Sequence, residues 1–408
     1  MIFSTTRKCS KCGNEIPIFS GVNIDISCQT CGNFSGIFVG KDSDQLKFEC
    51  TSCKHVFIVD ANKEVPLYHD VPNCKNKTIN YLGTIDPNEK IIINTSKEVY
   101  KYLIYIRRNR GMGDVLMTAS ILPELKKKYP DYSIWFEVDE DIAPVLYNNP
   151  YIDRLLLRGN KNKLAHEPGL FINLLEKLEN YKENNEANKR NRVERIWELS
   201  GLRIDQYSDL RPKYYPLKEE IDWAKNFLKI NPKSKAKFII VGIESFANFR
   251  TWPINKFEEL VDSLIDKSFN NYIILVGQNH NPIKGRNIIN TCGELTIREL
   301  GALIVASQLV ICGDTGLYHL AEAVGTPSLV LFGSIPPQAR ISTYAYTTPI
   351  YKEDLAPCIP CWDKQRENMP PCINICMNSI TSEEVLKEAI RILNLKNPEK
   401  KYETKSYA

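Results

Sequence analysis

The chain has 408 residues, enough for two or three domains, and 43% of them are hydrophobic, so each domain can bury a core. Lys and Arg number 53 against 49 Asp and Glu, a net charge of +4 that is too weak to mark a nucleic-acid-binding surface by itself. No run of eighteen uncharged apolar residues occurs, and the opening "MIFSTTRKCSKCG" is charged where a secretory signal is apolar, so the expectation is a cytoplasmic chain without an integral membrane segment.

Seven of the thirteen cysteines fall in the first 74 residues. Cys9 and Cys12, Cys28 and Cys31, and Cys50 and Cys53 form Cys-x-x-Cys pairs, each followed by Gly or Lys, and Cys74 stands alone. Such turns let two thiolates converge on one ion. The spacing Cys9-x2-Cys12-x15-Cys28-x2-Cys31 is that of a four-thiolate zinc ribbon. Cys50 and Cys53 need two further ligands, and Cys74 with His69 or His55 are the available ones. Four thiolates leave zinc no open position, so structural zinc in a recognition or stiffening module over residues 1–80 is expected, rather than chemistry.

Residues 75–98 read as a linker or edge hairpin. From there strand and helix signals alternate. "KYLIYIRR" (101–108) is a buried-strand run, "GMGD" a turn, "VLMTASILPELKKKYP" an amphipathic helix stopped by Tyr129-Pro130, and "YSIWFEVDE" a second strand. Residues 171–201 read as a charged helix, and a domain change falls near Pro212 and Pro216. Alternation then restarts with "KFIIVGIES", "NKFEELVDSLIDKS", "NYIILVGQ", "TIRELGALIVAS", "QLVICGDT", "GLYHLAEAV" and "SLVLFGS". This order predicts two Rossmann-like units with a cleft between them. The domains expected are 99–215 on the acceptor side, 216–350 on the nucleotide side, and a closing segment 351–408 whose helix "TSEEVLKEAIRIL" opens on a Thr381 cap with Glu384 three residues on.

The turn Asp314-Thr315-Gly316 admits two chemistries. An aspartic protease needs two such carboxylates sharing a proton, and the chain has one Asp-Thr-Gly and no second Asp-[Ser/Thr]-Gly. The helical "LYHLAEAVG" that follows also argues against it. The alternative is an anion cradle: a strand ending at Cys312 and a helix starting at the turn aim free N–H groups of residues 315–317 outward, with the helix dipole behind them. His319 lies one turn up on the same face; alone, a helical histidine is ordinarily a packing residue. Asp114 admits two readings as well: a carboxylate pointed into the cleft by the sharp turn that Gly111 and Gly113 permit on either side of Met112, or a helix N-cap.

These stretches resemble glycosyltransferase family 9, the ADP-heptose:lipopolysaccharide heptosyltransferases and their relatives. "DTGLYHLAEAVGTPSLVLFG" is similar to the family signature Asp-[Ser/Thr]-Gly-x-x-His-x-Ala-x-Ala-x-Gly-x-Pro. "RRNRGMGDVLMTASILPELKKKYPD", "NNPYIDRLL", "RTWPINKFEELV" and "CGELTIRELGALIVASQLVIC" resemble other family segments in the same order, over roughly residues 101–395. The resemblance implies an α/β fold of GT-B type, two facing Rossmann-like domains, here with the N-terminal zinc-ribbon module and a C-terminal four-cysteine metal finger added. It also implies an inverting transfer of a sugar, from an ADP-heptose-type donor to a glycan or protein hydroxyl, with no catalytic metal. Carried over by motif, Asp114 is the general base. Arg250, where the family commonly has Lys, neutralises the leaving nucleotide, and Ser245, Asp314, Thr315, Gly316 and His319 contact the donor. Gly111 and Gly113 shape the acceptor-side turn.

"PCIPCWDKQRENMPPCINICMNSIT" gives Cys358-x2-Cys361-x10-Cys372-x3-Cys376, a second four-thiolate spacing that zinc and iron fit equally. The autotransporter heptosyltransferases of the family, which modify protein, carry a similar finger with iron. No nucleic-acid partner is expected; oligomerisation and peripheral work at the inner membrane face are compatible with the sequence. The competing reading is a zinc-ribbon scaffold that binds nucleic acid or protein, with a degenerate GT-B portion. Few clustered cations or stacking aromatics in the ribbon region support it.

Overall fold

The structure, a computed structural model, describes residues 102–158, 168–179, 190–229, 236–245, 250–267, 271–279, 283–333, 335–352 and 374–395, and, of residues 1–101, five strands as backbone. It divides into two units: Met1–Leu103 with Asp131–Ser133 and Lys163–Leu170, and the remainder through Ala408.

In the first unit, β1 (Thr5–Lys8) pairs antiparallel with β2 (Glu15–Ile18). A second antiparallel sheet sets β3 (Gln45–Cys50) between β4 (Val56–Asp60) and β5 (Ile79–Thr84), with a register shift at Lys47/Phe48. The stretch expected as a linker or edge hairpin thus contributes an edge strand. Cys50 ends β3. Cys9, Cys12, Cys28 and Cys31, on which the expected zinc ribbon rests, and Cys53 and Cys74 of the expected second site lie outside the described residues.

The second unit holds two α/β layers. The first is a four-stranded sheet of order β8-β7-β6-β9, built from β6 (Leu103–Arg107), β7 (Ser133–Val138), β8 (Arg154–Leu157) and β9 (Leu170–Asn173). The second is a six-stranded sheet, parallel throughout, of order β12-β11-β10-β13-β14-β15. Its strands are β10 (Lys237–Gly242), β11 (Asn271–Val276), β12 (Ile288–Asn290), β13 (Leu309–Gly313), β14 (Ser328–Phe332) and β15 (Thr347–Tyr351). The runs "FIIVG", "LVICG" and "SLVLF" are buried along their whole length, as a parallel sheet covered on both faces requires. In both sheets the chain order reverses once, beside β6 and beside β10. Crevices for ligands open at the carboxyl ends of strands at such switch points.

The helices refine the sequence reading. "GMGD" is not a free turn: Gly111, at φ 78°, is the N-cap of α1 (Met112–Ala119), so Gly113 and Asp114 already lie in its first turn. Asp114 is therefore not the N-cap. The expected single helix breaks at Ser120-Ile121, and α2 (Leu122–Lys128) restarts with Pro123 in its first turn. Residues 171–201 are not one helix either: β9 passes into α3 (Leu174–Glu179), and α4 (Arg192–Leu199) begins anew, its Asn191 cap accepting from the backbone N–H groups of Val193 and Glu194. The remaining helices are α5 (Lys218–Phe227), α6 (Ile254–Lys267), α7 (Ile297–Ala306), α8 (Gly316–Val324), the short α9 (Gln338–Ile341) and α10 (Ile375–Asn378), and α11 (Ser382–Asn394).

The expected Thr381–Glu384 capping box opens α11. That helix packs with α6 over the six-stranded sheet, around Trp252, Phe257, Leu264, Met377 and Val385. Trp252 Nε1 donates to the Ile380 carbonyl at 3.0 Å, so the closing segment is fastened into the same core.

Candidate active site

The site is built where α1 and α8 meet tip to tip. α1 starts just beyond the carboxyl end of β6, at one switch point; α8 starts just beyond β13, next to β10, at the other. Two glycines permit the approach. A Cβ on Gly113 would sit 2.3 Å from His319 Cδ2, and one on Gly316 would sit 2.6 Å from Met112 Cε. Thr315 and Gly316 remain half-buried at the tip of α8, while Leu317, Tyr318 and His319 are buried. Thr315 caps its own helix, its Oγ1 accepting from the Leu317 N–H at 3.3 Å, so of the three amides expected to face outward the third is engaged inside the helix. At the far end Gly325, at φ 72°, closes α8 as expected.

Asp114 is held by cations from three segments. Arg108, itself 3% exposed, donates from Nη2 to Oδ2 at 2.6 Å, and Arg192 donates from Nε to Oδ1 at 2.5 Å. Burial alone would raise the Asp114 carboxyl, but the charges of Arg108, Arg192 and Arg340 outweigh it and hold the group well below the usual carboxylate range. Asp114 is thus a carboxylate at every physiological pH.

Asp314 is 7% exposed. Its Oδ1 accepts from Tyr318 Oη at 3.1 Å, and its Oδ2 lies 3.3 Å from Arg250 Nη1, which also reaches the Asp314 carbonyl at 3.4 Å. A Cβ on Gly313 would stand 3.0 Å from the Arg250 carbonyl, so the strand end must be glycine for this segment to come so near. The structure therefore joins two of the expected residues directly, with Asp314 orienting Arg250. Ser245 lies beyond the end of β10, half-buried, at the carboxyl edge of the same sheet.

His319 is 4% exposed, with Tyr344 Oη 2.5 Å from its Nδ1 and the Tyr318 ring 4.0 Å away between centroids. Burial pushes its imidazole down to about 4, so it is neutral at pH 7, with the Nε2 edge toward Gly113. Tyr344 is in turn positioned by Glu322 of α8, whose fully buried carboxylate accepts from the N–H groups of Ala345 and Tyr346 and from Thr347 Oγ1.

Five participants were not found in the sequence: Arg108, Arg192, Arg340, Tyr318 and Tyr344. Arg108 had a signal, because an arginine pair closing an apolar strand stands at the functional end of a parallel sheet. Arg192 and Arg340 had none, one lying in a charge-rich stretch and the other in a one-turn helix. The remaining expected residues fall elsewhere. Cys376 is buried as a free thiol on α10, while Cys358, Cys361 and Cys372 lie outside the described residues. Among the described residues no group of three or more His, Cys, Asp or Glu could hold a metal ion, and no helix is long and apolar enough to cross a membrane.

The chain is similar to known proteins in both sequence and fold. It is 25% identical to lipopolysaccharide heptosyltransferase 3 of Escherichia coli, in an alignment covering 55% of this chain and 82% of the relative. The crystal structure of a glycosyltransferase family 9 protein from Veillonella parvula superposes with a TM-score of 0.55 at 17% identity, over 72% of this chain and 97% of that one. The dodecameric iron-containing heptosyltransferase TibC of enterotoxigenic E. coli, in complex with ADP-D-β-D-heptose, superposes with a TM-score of 0.53 at 13% identity, over 86% and 92%. With two α/β layers and facing helix tips at their switch points, the chain has a GT-B-like fold and is a glycosyltransferase. The sequence model of glycosyltransferase family 9 (heptosyltransferase) matches residues 175–370.

Proposed function

We propose that the chain is an inverting glycosyltransferase that moves a heptose-type sugar from an ADP-heptose-type donor to a hydroxyl of a glycan or protein. The observation that carries this reading is the meeting of α1 and α8 at two switch points, with a carboxylate on one side and a largely buried Arg250–Asp314 pair on the other. The donor's diphosphate is placed at the tip of α8, against Thr315, Gly316 and Ser245, with Arg250 opposing the charge that builds on the leaving group. His319, neutral and locked by Tyr344, offers Nε2 to a sugar hydroxyl. Asp114 Oδ1 takes the acceptor's proton as its oxygen attacks the anomeric carbon from the face opposite the diphosphate. That TibC is described in complex with ADP-D-β-D-heptose supports the donor class. Fixed guanidinium charge supplies what a catalytic metal would otherwise provide.

The domains proposed are 99–215 for acceptor, 216–350 for donor and 351–408 for the finger. Structural zinc in the 1–80 module and zinc or iron in the finger rest on cysteine spacing, and on the iron named for TibC. TibC is described as a dodecamer, and self-association is expected here too.

Full-length protein incubated with ADP-D-β-D-heptose and a panel of candidate glycan and protein acceptors should release ADP, followed by chromatography. Asp114→Asn should slow release by about 10²- to 10³-fold. Near-normal transfer by Asp114→Asn refutes the base assignment; turnover confined to a donor with another base refutes the adenine reading.

A further inference from the structure

A base held by two guanidinium groups is a weak one. Arg192 is the first residue of α4, and the cap before it, Asn191, donates from Nδ2 to Ser342 Oγ at 2.8 Å and toward the Gln338 carbonyl at 3.5 Å. Ser342 and Gln338 bracket Arg340. These bonds set the Arg192 and Arg340 guanidinium groups near one another with side chains 11% and 8% exposed. After burial, the charge of Arg192 is the largest influence lowering Arg340, so the two repel where water screens them little. Arg340 also feels the charges of Asp114 and Asp314. Two cations brought together from separate segments, one of them resting on Asp114, form a seat that an entering dianion completes.

We propose that Arg192 exchanges partners during turnover: it neutralises Asp114 until the donor arrives, then turns to the diphosphate beside Arg340 and leaves Asp114 Oδ1 open to the acceptor hydroxyl. Arg108 stays, being buried beneath the carboxylate. In the step that follows, the acceptor's proton moves to Oδ1 and its oxygen bonds to the anomeric carbon. The bond from that carbon to the diphosphate breaks, and its electron pair leaves on the phosphate oxygen that Arg192 now faces. Base activation is thereby coupled to donor occupancy, and Arg192 acts as a positioning residue. The exchange rests on the donor reading given above.

The coupling has a sign that packing alone does not produce. If Asp114 and the diphosphate compete for Arg192, removing the Asp114 charge must strengthen diphosphate binding. Calorimetric titration of the full chain with ADP, and separately with inorganic pyrophosphate, should show Asp114→Asn binding about 10-fold tighter than wild type. The gain should persist with Arg192→Lys and vanish with Arg192→Gln. The transfer rate of Arg192→Gln should fall, while Arg192→Lys recovers part of it. Equal tightening in the Arg192 and Arg192→Gln backgrounds, or none in either, overturns the exchange. Coupling seen with pyrophosphate but no ADP binding overturns the adenine donor and leaves the exchange standing; binding of neither probe overturns both.

Discussion

Replacing Gly113 by alanine sets two effects of opposite sign against each other. Gly113 has ordinary helical dihedrals within α1, so alanine should favour the helix by about 1 kcal/mol. The added Cβ, however, would lie 2.3 Å from His319 Cδ2, more than an ångström short of ordinary contact at 3.4 Å, and 2.8 Å from Nε2. His319 cannot swing aside, because Tyr344 holds its Nδ1 and the Tyr318 ring lies along it. The tips of α1 and α8 must therefore separate. Overpacking of this kind costs about 1–3 kcal/mol, leaving a net loss of up to about 2 kcal/mol after the helix gain. A displacement near 1 Å between base and donor helix should slow transfer by about 100-fold. Thermal unfolding and ADP release, measured beside Gly285→Ala as a control, separate the effects. The Gly285 Cβ would meet only the end of the Ile288 side chain, so that variant should stay within about 0.5 kcal/mol of wild type. A Gly113→Ala protein with unchanged or raised stability and full turnover refutes the close approach.

His319 makes stability depend on pH. Its folded value of about 4 lies below the unfolded 6.5, so the unfolded chain binds the extra proton first, and stability should fall by up to about 3 kcal/mol between pH 6.5 and 4. Denaturation of wild type and His319→Gln across that window should show a steeper slope in wild type. Arg298 of α7 reaches Glu220 at 2.8 and 2.6 Å, the Tyr215 carbonyl at 2.8 Å and the Pro144 carbonyl at 3.3 Å; Arg298→Ala should cost about 2–4 kcal/mol by urea titration, and a loss under 1 kcal/mol refutes its role as a tie. Elemental analysis of protein purified without added metal should find at least two ions per chain, and one or none refutes the proposed cysteine sites.

The sequence made the sheets and helix caps of the second unit legible because their physics is local. "FIIVG" and "SLVLF" declare covered strands, Thr381 with Glu384 declares a helix start, and Gly325 a helix end. The break at Ser120-Ile121 and the discontinuity in residues 171–201 were not legible, since abundant Lys and Glu in both stretches mimic helix composition. Asp114 was visible as a carboxylate in a glycine turn, but its state was not. That state depends on Arg192 and Arg340, about 80 and 230 residues away, and only the fold brings such charges together. Asp314 was expected to face the donor, and its burial against Arg250 and Tyr318 follows from β13 and α8 enclosing it.

Asn191 has a place in two structures at once. Its carboxamide oxygen starts α4, and its nitrogen clasps the segment that carries Arg340. Parting the two would leave the oxygen's role intact and hand only the nitrogen's contacts to water, a trade of roughly 1 kcal/mol per bond. This latch is light enough for thermal motion to lift, and the helix it begins would survive each opening unmelted.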